Sequence, residues 1–166
     1  AIFRRTSIGT DDPHITFNDC TNMTAVFFEV AGKETTLEYM NASEFQAGVL
    51  VSGGDGLILE DFSVHNIGGD SVQGSGGAQN VTIRRLHSSY TGRQGVSFNA
   101  GHGLLLEDSL SEWSARSAID IEPYGTDWTT GNLTIRNITA RHFYNYFLAA
   151  LGSGTHDGML VESNTV

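Results

Sequence analysis

Short apolar segments recur along the chain at nearly regular intervals, and glycine-rich polar segments separate them. In five of them an aliphatic residue is followed two positions later by a second aliphatic residue and then by a charged one. These five segments begin at Leu57, Val81, Leu104, Leu133 and Met159. A second apolar segment starts 15 residues after each of the first four, at Val72, Val96, Ile119 and Leu148. Short strands repeating every 23 to 29 residues predict a solenoid of β-coils.

Alternating charge supports this alignment of the repeats. Parallel strands stack roughly 4.8 Å apart, so opposite charges on neighbouring coils would attract and like charges would repel. We therefore predict an all-β chain, a parallel β-helix solenoid of about seven coils with the aliphatic positions stacked inside. The position after the second aliphatic residue carries, in successive repeats, Glu60, Arg84, Glu107, Arg136 and Glu162.

The repeats indicate one β-helix domain that is regular over residues 57–166 and irregular over residues 1–56. Two less regular coils are predicted in the first part, one around residues 15–17 and 26–30 and one around Leu37 and residues 49–51. The chain begins with Ala1, and Val166 falls within a coil, so we expect a part of a longer protein. Asn80 and Asn132 begin Asn-X-Thr sequences at equivalent repeat positions, which favours a role in the coil over glycosylation.

Charge and composition argue against several functional classes. The formal net charge of −10 disfavours nucleic acid or an anionic membrane surface as the partner. No apolar run approaches about 18 residues, so we expect no membrane insertion. Cys20 is the single cysteine and the six histidines lack metal-binding spacing, so we expect no metal site and no cofactor.

Four repeat motifs resemble the right-handed parallel β-helix superfamily, the pectin-lyase-like fold. The resemblance is close over residues 57–166 and loose over residues 14–56, and it implies functions from polysaccharide lyases and hydrolases, uronate epimerases and phage tailspikes to adhesins. It also implies an extracellular or virion-associated location and a possible homotrimer. The pectin-hydrolase pattern itself is incomplete, because only Asp70 of its acid pair is present. The motifs are Asn80-Val-Thr-Ile-Arg-Arg, Gly92-Arg-Gln-Gly-Val-Ser, Ala118-Ile-Asp-Ile-Glu-Pro and Asn132-Leu-Thr-Ile-Arg-Asn.

Asp120 and Glu122 are the candidate catalytic residues. They alternate with Ile119 and Ile121, so a strand would turn both carboxyls to the outer face of the solenoid. Residues two apart on a strand lie roughly 6.5–7 Å apart, which matches the carboxyl spacing of about 6.5–9.5 Å in inverting glycosidases. One carboxyl would act as the acid and the other as the base. Alternatively, the two acids are simply solvated or bind a cation.

Polar residues on neighbouring coils are the candidate substrate-binding residues. Arg93 and Arg116 could hold the carboxylate of an anionic sugar, or they could neutralise nearby acids. Tyr124 and Trp128 lie in an extended loop that could stack on a sugar ring or contact another subunit. We predict cleavage of a polysaccharide, by a hydrolase or a lyase, in a groove on the outer face; the alternative is a non-catalytic adhesin or a structural spike or fibre module. The binding candidates are Asp70, Gln73, Arg93, Gln94, Ser97, Asn99, Arg116, Tyr124 and Trp128.

Overall fold

The computed structural model describes residues 2–4, 12–34, 36–124 and 129–166. Apart from one 3₁₀ turn at Asn41–Ser43, the regular structure of these residues is β-strand, and every strand pair is parallel. The strands are β1 (Ile2–Arg4), β2 (Ile15–Asn18), β3 (Thr24–Ala31), β4 (Val49–Ser52), β5 (Ile58–Ile67), β6 (Val72–Ser75), β7 (Ala78–Gln79), β8 (Thr82–Thr91), β9 (Val96–Phe98), β10 (Gly101–His102), β11 (Leu105–Glu107), β12 (Leu110–Ser114), β13 (Ile119–Ile121), β14 (Thr129–Arg136), β15 (Thr139–Phe143), β16 (Leu148–Ala150) and β17 (Thr155–Glu162).

The strands stack into two sheets that run along the solenoid. The smaller sheet contains β2, β4, β6, β9, β13 and β16 in this order, and the larger one contains the remaining strands. The described residues therefore form six coils, not the seven expected, with β1 adding part of a further layer to the larger sheet. In the second predicted irregular coil, residues 49–51 are confirmed as part of β4, but the strand at Leu37 is wrong, because Leu37 lies outside the strands and β3 pairs directly with β5.

The predicted register of the larger sheet is confirmed residue by residue. Glu60 pairs with Arg84, Arg84 with Glu107, Glu107 with Arg136, and Arg136 with Glu162. We call this column the charge ladder. Arg84 forms an ion pair with Glu60, and the Nη2 atom of Arg136 lies 2.7 Å from Oε2 of Glu107.

The aliphatic columns fill the interior as expected. The two columns that begin at Leu57 and Leu59 are at most 2% exposed through their first four coils. Burying each such side chain contributes about 1.5–3 kcal/mol. Met159 and Val161, in the last coil, are less buried because a neighbouring coil covers them on one side only. The buried members of the two columns are Leu57, Leu59, Val81, Ile83, Leu104, Leu106, Leu133 and Ile135.

A column of left-handed residues forms the bend before the larger sheet, and asparagine and glycine alternate along it. Asn80 and Asn132 both adopt this conformation, with φ of 49° and 51°, so their sequence pattern reflects the turn of the coil. A Cβ atom on Gly103 would lie 2.6 Å from the side-chain oxygen of Asn80 on the preceding coil. The position of Gly103 therefore has no room for a residue larger than glycine. The column contains Asn22, Gly56, Asn80, Gly103, Asn132 and Gly158.

Candidate functional site

The outer side of the smaller sheet carries three of the predicted site residues, and most of the others lie directly before or after its strands. Gln73 pairs with Ser97, Ser97 with Asp120, and Asp120 with Ala149, so these four residues form one column. The column alternates with inward residues such as Phe98 and therefore points out of the core. Contrary to the sequence expectation of an exposed face, however, Gln73 is 8%, Ser97 3% and Asp120 4% exposed.

A segment between β3 and β4, residues 36–47, covers one end of this face, and we call it the cover segment. Its Gln46 accepts hydrogen bonds from the backbone N–H of Gly68 (3.0 Å to Oε1) and of Gly69 (3.2 Å to the carbonyl). The carbonyl of Glu44 accepts a hydrogen bond of 3.3 Å from Nη1 of Arg93. These contacts place the segment against the turn before β6 and against Arg93.

Asp70 is the most deeply buried acid of the site, at 1% exposed. The backbone N–H of Gln94 donates to Oδ1 (3.1 Å) and the Ser97 hydroxyl donates to Oδ2 (2.6 Å). The Nη1 atom of Arg93 lies 3.6 Å from Oδ2, and Nη2 lies 3.6 Å from Oε1 of Glu44. Burial nevertheless raises the pKa of Asp70, because the lost hydration outweighs the attraction of Arg93.

Asp120 is held through the same glutamine. The Gln94 side-chain N–H donates to Oδ2 of Asp120 at 2.7 Å, so Gln94 joins the two acids into one unit. Burial, followed by the negative charges of Glu122 and Asp70, raises the pKa of Asp120 to about 6. We call Asp70, Arg93, Gln94, Ser97 and Asp120 the acid network.

Three polar atoms of the acid network are buried without a hydrogen-bond partner among the described residues. They are Oδ1 of Asp120, Oε1 of Gln94 and Nε of Arg93. Buried polar groups are usually satisfied, and groups that are not satisfied mark a site of strain or of ligand binding. The acid network therefore offers two acceptors and one donor for a bound molecule.

The remaining predicted residues lie around the acid network. Glu122 and Asn99 are half-buried at the opposite end of the strands from the cover segment. Arg116 is half-buried, with its guanidinium 5.2 Å from the centre of the Tyr39 ring. Tyr124 is 72% exposed, and Trp128 lies outside the described residues.

Sequence reasoning missed Tyr39 and Glu44, which contact the two arginines from the cover segment. One signal could have identified them. The connection from β3 to β4 spans residues 32–48, whereas the equivalent connection from β5 to β6 spans only residues 68–71. Such an insertion has to pack on the outside of the solenoid, because the interior is filled.

Within the described ranges, no group of three or more histidine, cysteine or acidic side chains has the arrangement of a metal site. A search of the same residues for a helix long and apolar enough to cross a membrane also finds none.

Residues 24–166 match the family model described as the right-handed beta helix region. No curated protein and no solved structure matches the chain. The match thus spans all coils from β3 onward, including the whole acid network.

Proposed function

Because the chain belongs to the right-handed β-helix family, a fold compatible with polysaccharide-active proteins, we propose that it cleaves a polysaccharide on the outer face of its smaller sheet. The observation that carries the proposal is the state of Asp120. Its carboxyl is buried, has a pKa of about 6 and keeps one oxygen without a partner among the described residues. Perturbed carboxyls with a nearby second acid are typical of acid–base catalysis.

The hydrogen bond from Gln94 favours one oxygen of Asp120 as the position of the proton. Oδ2 accepts the Gln94 side-chain N–H, so the proton of the neutral acid resides on Oδ1. Below about pH 6 this oxygen is protonated and acts as a general acid toward a glycosidic oxygen. Asp120 is therefore the proton donor of the proposed reaction.

Glu122 supplies the complementary base. It lies directly after β13, two positions beyond Asp120, and its charge contributes to the raised pKa of Asp120. An extended backbone would separate the two Cα atoms by about 6.5–7 Å, within reach of the wider carboxyl spacing used for inverting hydrolysis. Glu122 takes a proton from water, whose oxygen bonds to the anomeric carbon. The carbon–oxygen bond to the leaving sugar breaks, and the leaving oxygen takes the proton of Asp120.

The substrate would approach from the Glu122 end of the face. The cover segment closes the other end, over Gly68, Gly69 and Arg93. At the Glu122 end, Ser75 and Asn99 are partly exposed. A groove lies just beyond them, lined by Gly76, Gly77, Gln79, Ala100, Gly101, His102 and Thr129.

The test is cleavage of a panel of polysaccharides by the parent protein and by the variants Asp120→Asn and Glu122→Gln. Reducing ends report hydrolysis, and ultraviolet absorbance of unsaturated sugars reports elimination by a lyase. We expect each variant to lose about 10²- to 10⁴-fold in rate. Glu60→Gln, in the charge ladder, removes an equivalent charge away from the site and should retain the parent rate. Parent-like cleavage by both site variants would refute the assignment.

One observation favours the alternative, a non-catalytic glycan-binding module. Asp70 and Arg93 are already paired, and the described structure buries the Asp120 carboxyl almost completely. Such a site could bind a sugar hydroxyl without performing chemistry. Binding of a polysaccharide by the parent protein, with no new reducing ends and no unsaturated sugar after prolonged incubation, would establish this alternative.

A further inference from the structure

We infer that the acid network selects a glycan without carboxylate or sulfate groups, that is, a neutral or amino-sugar polymer. The inference rests on the proposed function and specifies its substrate class. Two independent features carry it: the balance of charge around the site, and the kind of hydrogen-bonding atom that the site leaves unused.

Acids outnumber bases around the site. The carboxyls that interact electrostatically here are Glu44, Asp70, Asp120 and Glu122, and the bases are Arg93 and Arg116. With every group ionised, the site has two more negative than positive charges, and with Asp120 neutral, as the proposed reaction requires, it still has one more. An anionic sugar placed against this surface would meet like charge in a partly desolvated environment, where charges interact strongly.

Arg93 is already engaged on both sides, so it forms no open clamp for a carboxylate. It is 7% exposed and lies between Asp70 and Glu44, with 3.6 Å between charged atoms on each side. The guanidinium of Arg116 lies 5.2 Å from the centre of the Tyr39 ring, and its charge is included in the balance above. Bidentate recognition of an anion requires the edge of a guanidinium to face the ligand. An anionic sugar would first have to displace Glu44 from Arg93.

The acceptors of the site need a donor from the ligand. Oε1 of Gln94 and Oδ1 of ionised Asp120 have no hydrogen-bond donor in the part of the chain that the structure describes. A hydroxyl or an amide N–H of a sugar can donate to them, whereas a carboxylate or sulfate group at the same point can only accept. The third unsatisfied atom, Nε of Arg93, is a donor, and a sugar hydroxyl can accept its hydrogen bond as well. A site with buried unsatisfied groups discriminates strongly against analogues that cannot satisfy them.

The experiment compares polymers that differ only in charge. Acidic polysaccharides, such as polygalacturonate, are immobilised beside their carboxyl-reduced forms, in which each acid has become a primary alcohol, and beside neutral and amino-sugar polymers. We expect the preferred polymers to be uncharged or cationic, and each reduced form to bind at least about tenfold more tightly than its acidic parent at low salt. Equal or tighter binding of the acidic forms would overturn the inference and leave the proposed function standing.

A charge variant tests the cause of the preference. Glu44→Gln removes one of the two acids that engage Arg93, so the affinity for acidic polymers relative to reduced polymers should rise several-fold. Glu38→Gln makes the same change at an exposed position of the cover segment and should leave the ratio at the parent value. An unchanged ratio in Glu44→Gln, with the fold intact by circular dichroism, would overturn the charge argument. Absence of binding to every polymer, together with absence of cleavage, would refute the proposed function itself.

Discussion

The charge ladder and the acid network stack charged residues on neighbouring coils of the same solenoid, with opposite outcomes. In the charge ladder, each acid faces a base on the next coil, and the side chains are partly open to water. In the acid network, Asp70 and Asp120 are bridged by a neutral glutamine and are almost fully buried. The first arrangement follows the rules of cross-strand pairing, and the second departs from them.

This difference separates a column with a structural role from a cluster for which we propose a function. The ion pairs of the charge ladder, each with a partly exposed arginine, add a little stability and need no further explanation. Two buried carboxyls with raised pKa values cost stability, and proteins tolerate such violations mainly at functional sites. The comparison therefore predicts that substitutions in the two columns affect stability and activity very differently.

The largest effect on stability is expected from Arg93→Met. The variant leaves Asp70 buried without its cation, and breaking a buried pair from one side costs about 3–5 kcal/mol. We expect the free energy of unfolding, measured by urea denaturation at pH 8, to fall by about 3 kcal/mol.

The double variant Asp70→Asn/Arg93→Met is the matched control. It removes the stranded charge as well, so most of the lost stability should return. A double variant as unstable as Arg93→Met would show that the packing of the arginine stem, rather than its charge, stabilises this part of the structure.

The next effect is a pH-dependent gain of stability in Asp120→Asn. The pKa of Asp120 is about 6 in the folded protein and 3.8 in the reference state, so the folded state favours the neutral acid. The stability that this preference contributes is fully present below about pH 4. It is lost as the pH rises through 6, and the total loss is about 3 kcal/mol. An amide does not ionise, so the variant avoids this loss.

The measurement is the difference in unfolding free energy between variant and parent at pH 4 and at pH 8. Any fixed cost of burying the amide is the same at both pH values and cancels in the comparison. We expect the difference to shift in favour of the variant by up to about 3 kcal/mol at the higher pH. A difference that does not change with pH would mean that Asp120 titrates normally.

The charge ladder could be predicted from the sequence because the same pattern of residues recurs in each repeat. Five alternating charges at one repeat position, together with the aliphatic columns, determine the register without knowledge of the loops. The same repeat placed Asp120 beside Ser97 and Gln73, and the pairing confirms that column. Repetition is informative because each coil makes the same contacts as its neighbours.

The burial of the acid network could not be predicted in this way. Part of it comes from the cover segment, whose Glu44 contacts Arg93 and which occurs once, so no column of equivalent residues reveals where it packs. Leu37 was assigned to a coil for the same reason: an isolated apolar residue in an irregular segment resembles the start of a strand. The pKa of Asp120 in turn depends on this packing and on carboxyls from two other positions, Asp70 and Glu122.

The smallest effect is expected from Arg136→Met in the charge ladder. Arg136 pairs with Glu107 at 2.7 Å; the side chain of Arg136 is 43% exposed and that of Glu107 is 11% exposed, so we expect a contribution near the upper end of the about 0.2–1 kcal/mol of surface pairs. We therefore expect the unfolding free energy to fall by less than about 1 kcal/mol. In 1 M NaCl the screening length is about 3 Å, so salt weakens the ion pair in the parent, and the difference in unfolding free energy between parent and variant should become smaller. A loss as large as that expected for Arg93→Met would show that the charge ladder also depends on a strongly stabilising ion pair. The distinction between the charge ladder and the acid network would then be wrong.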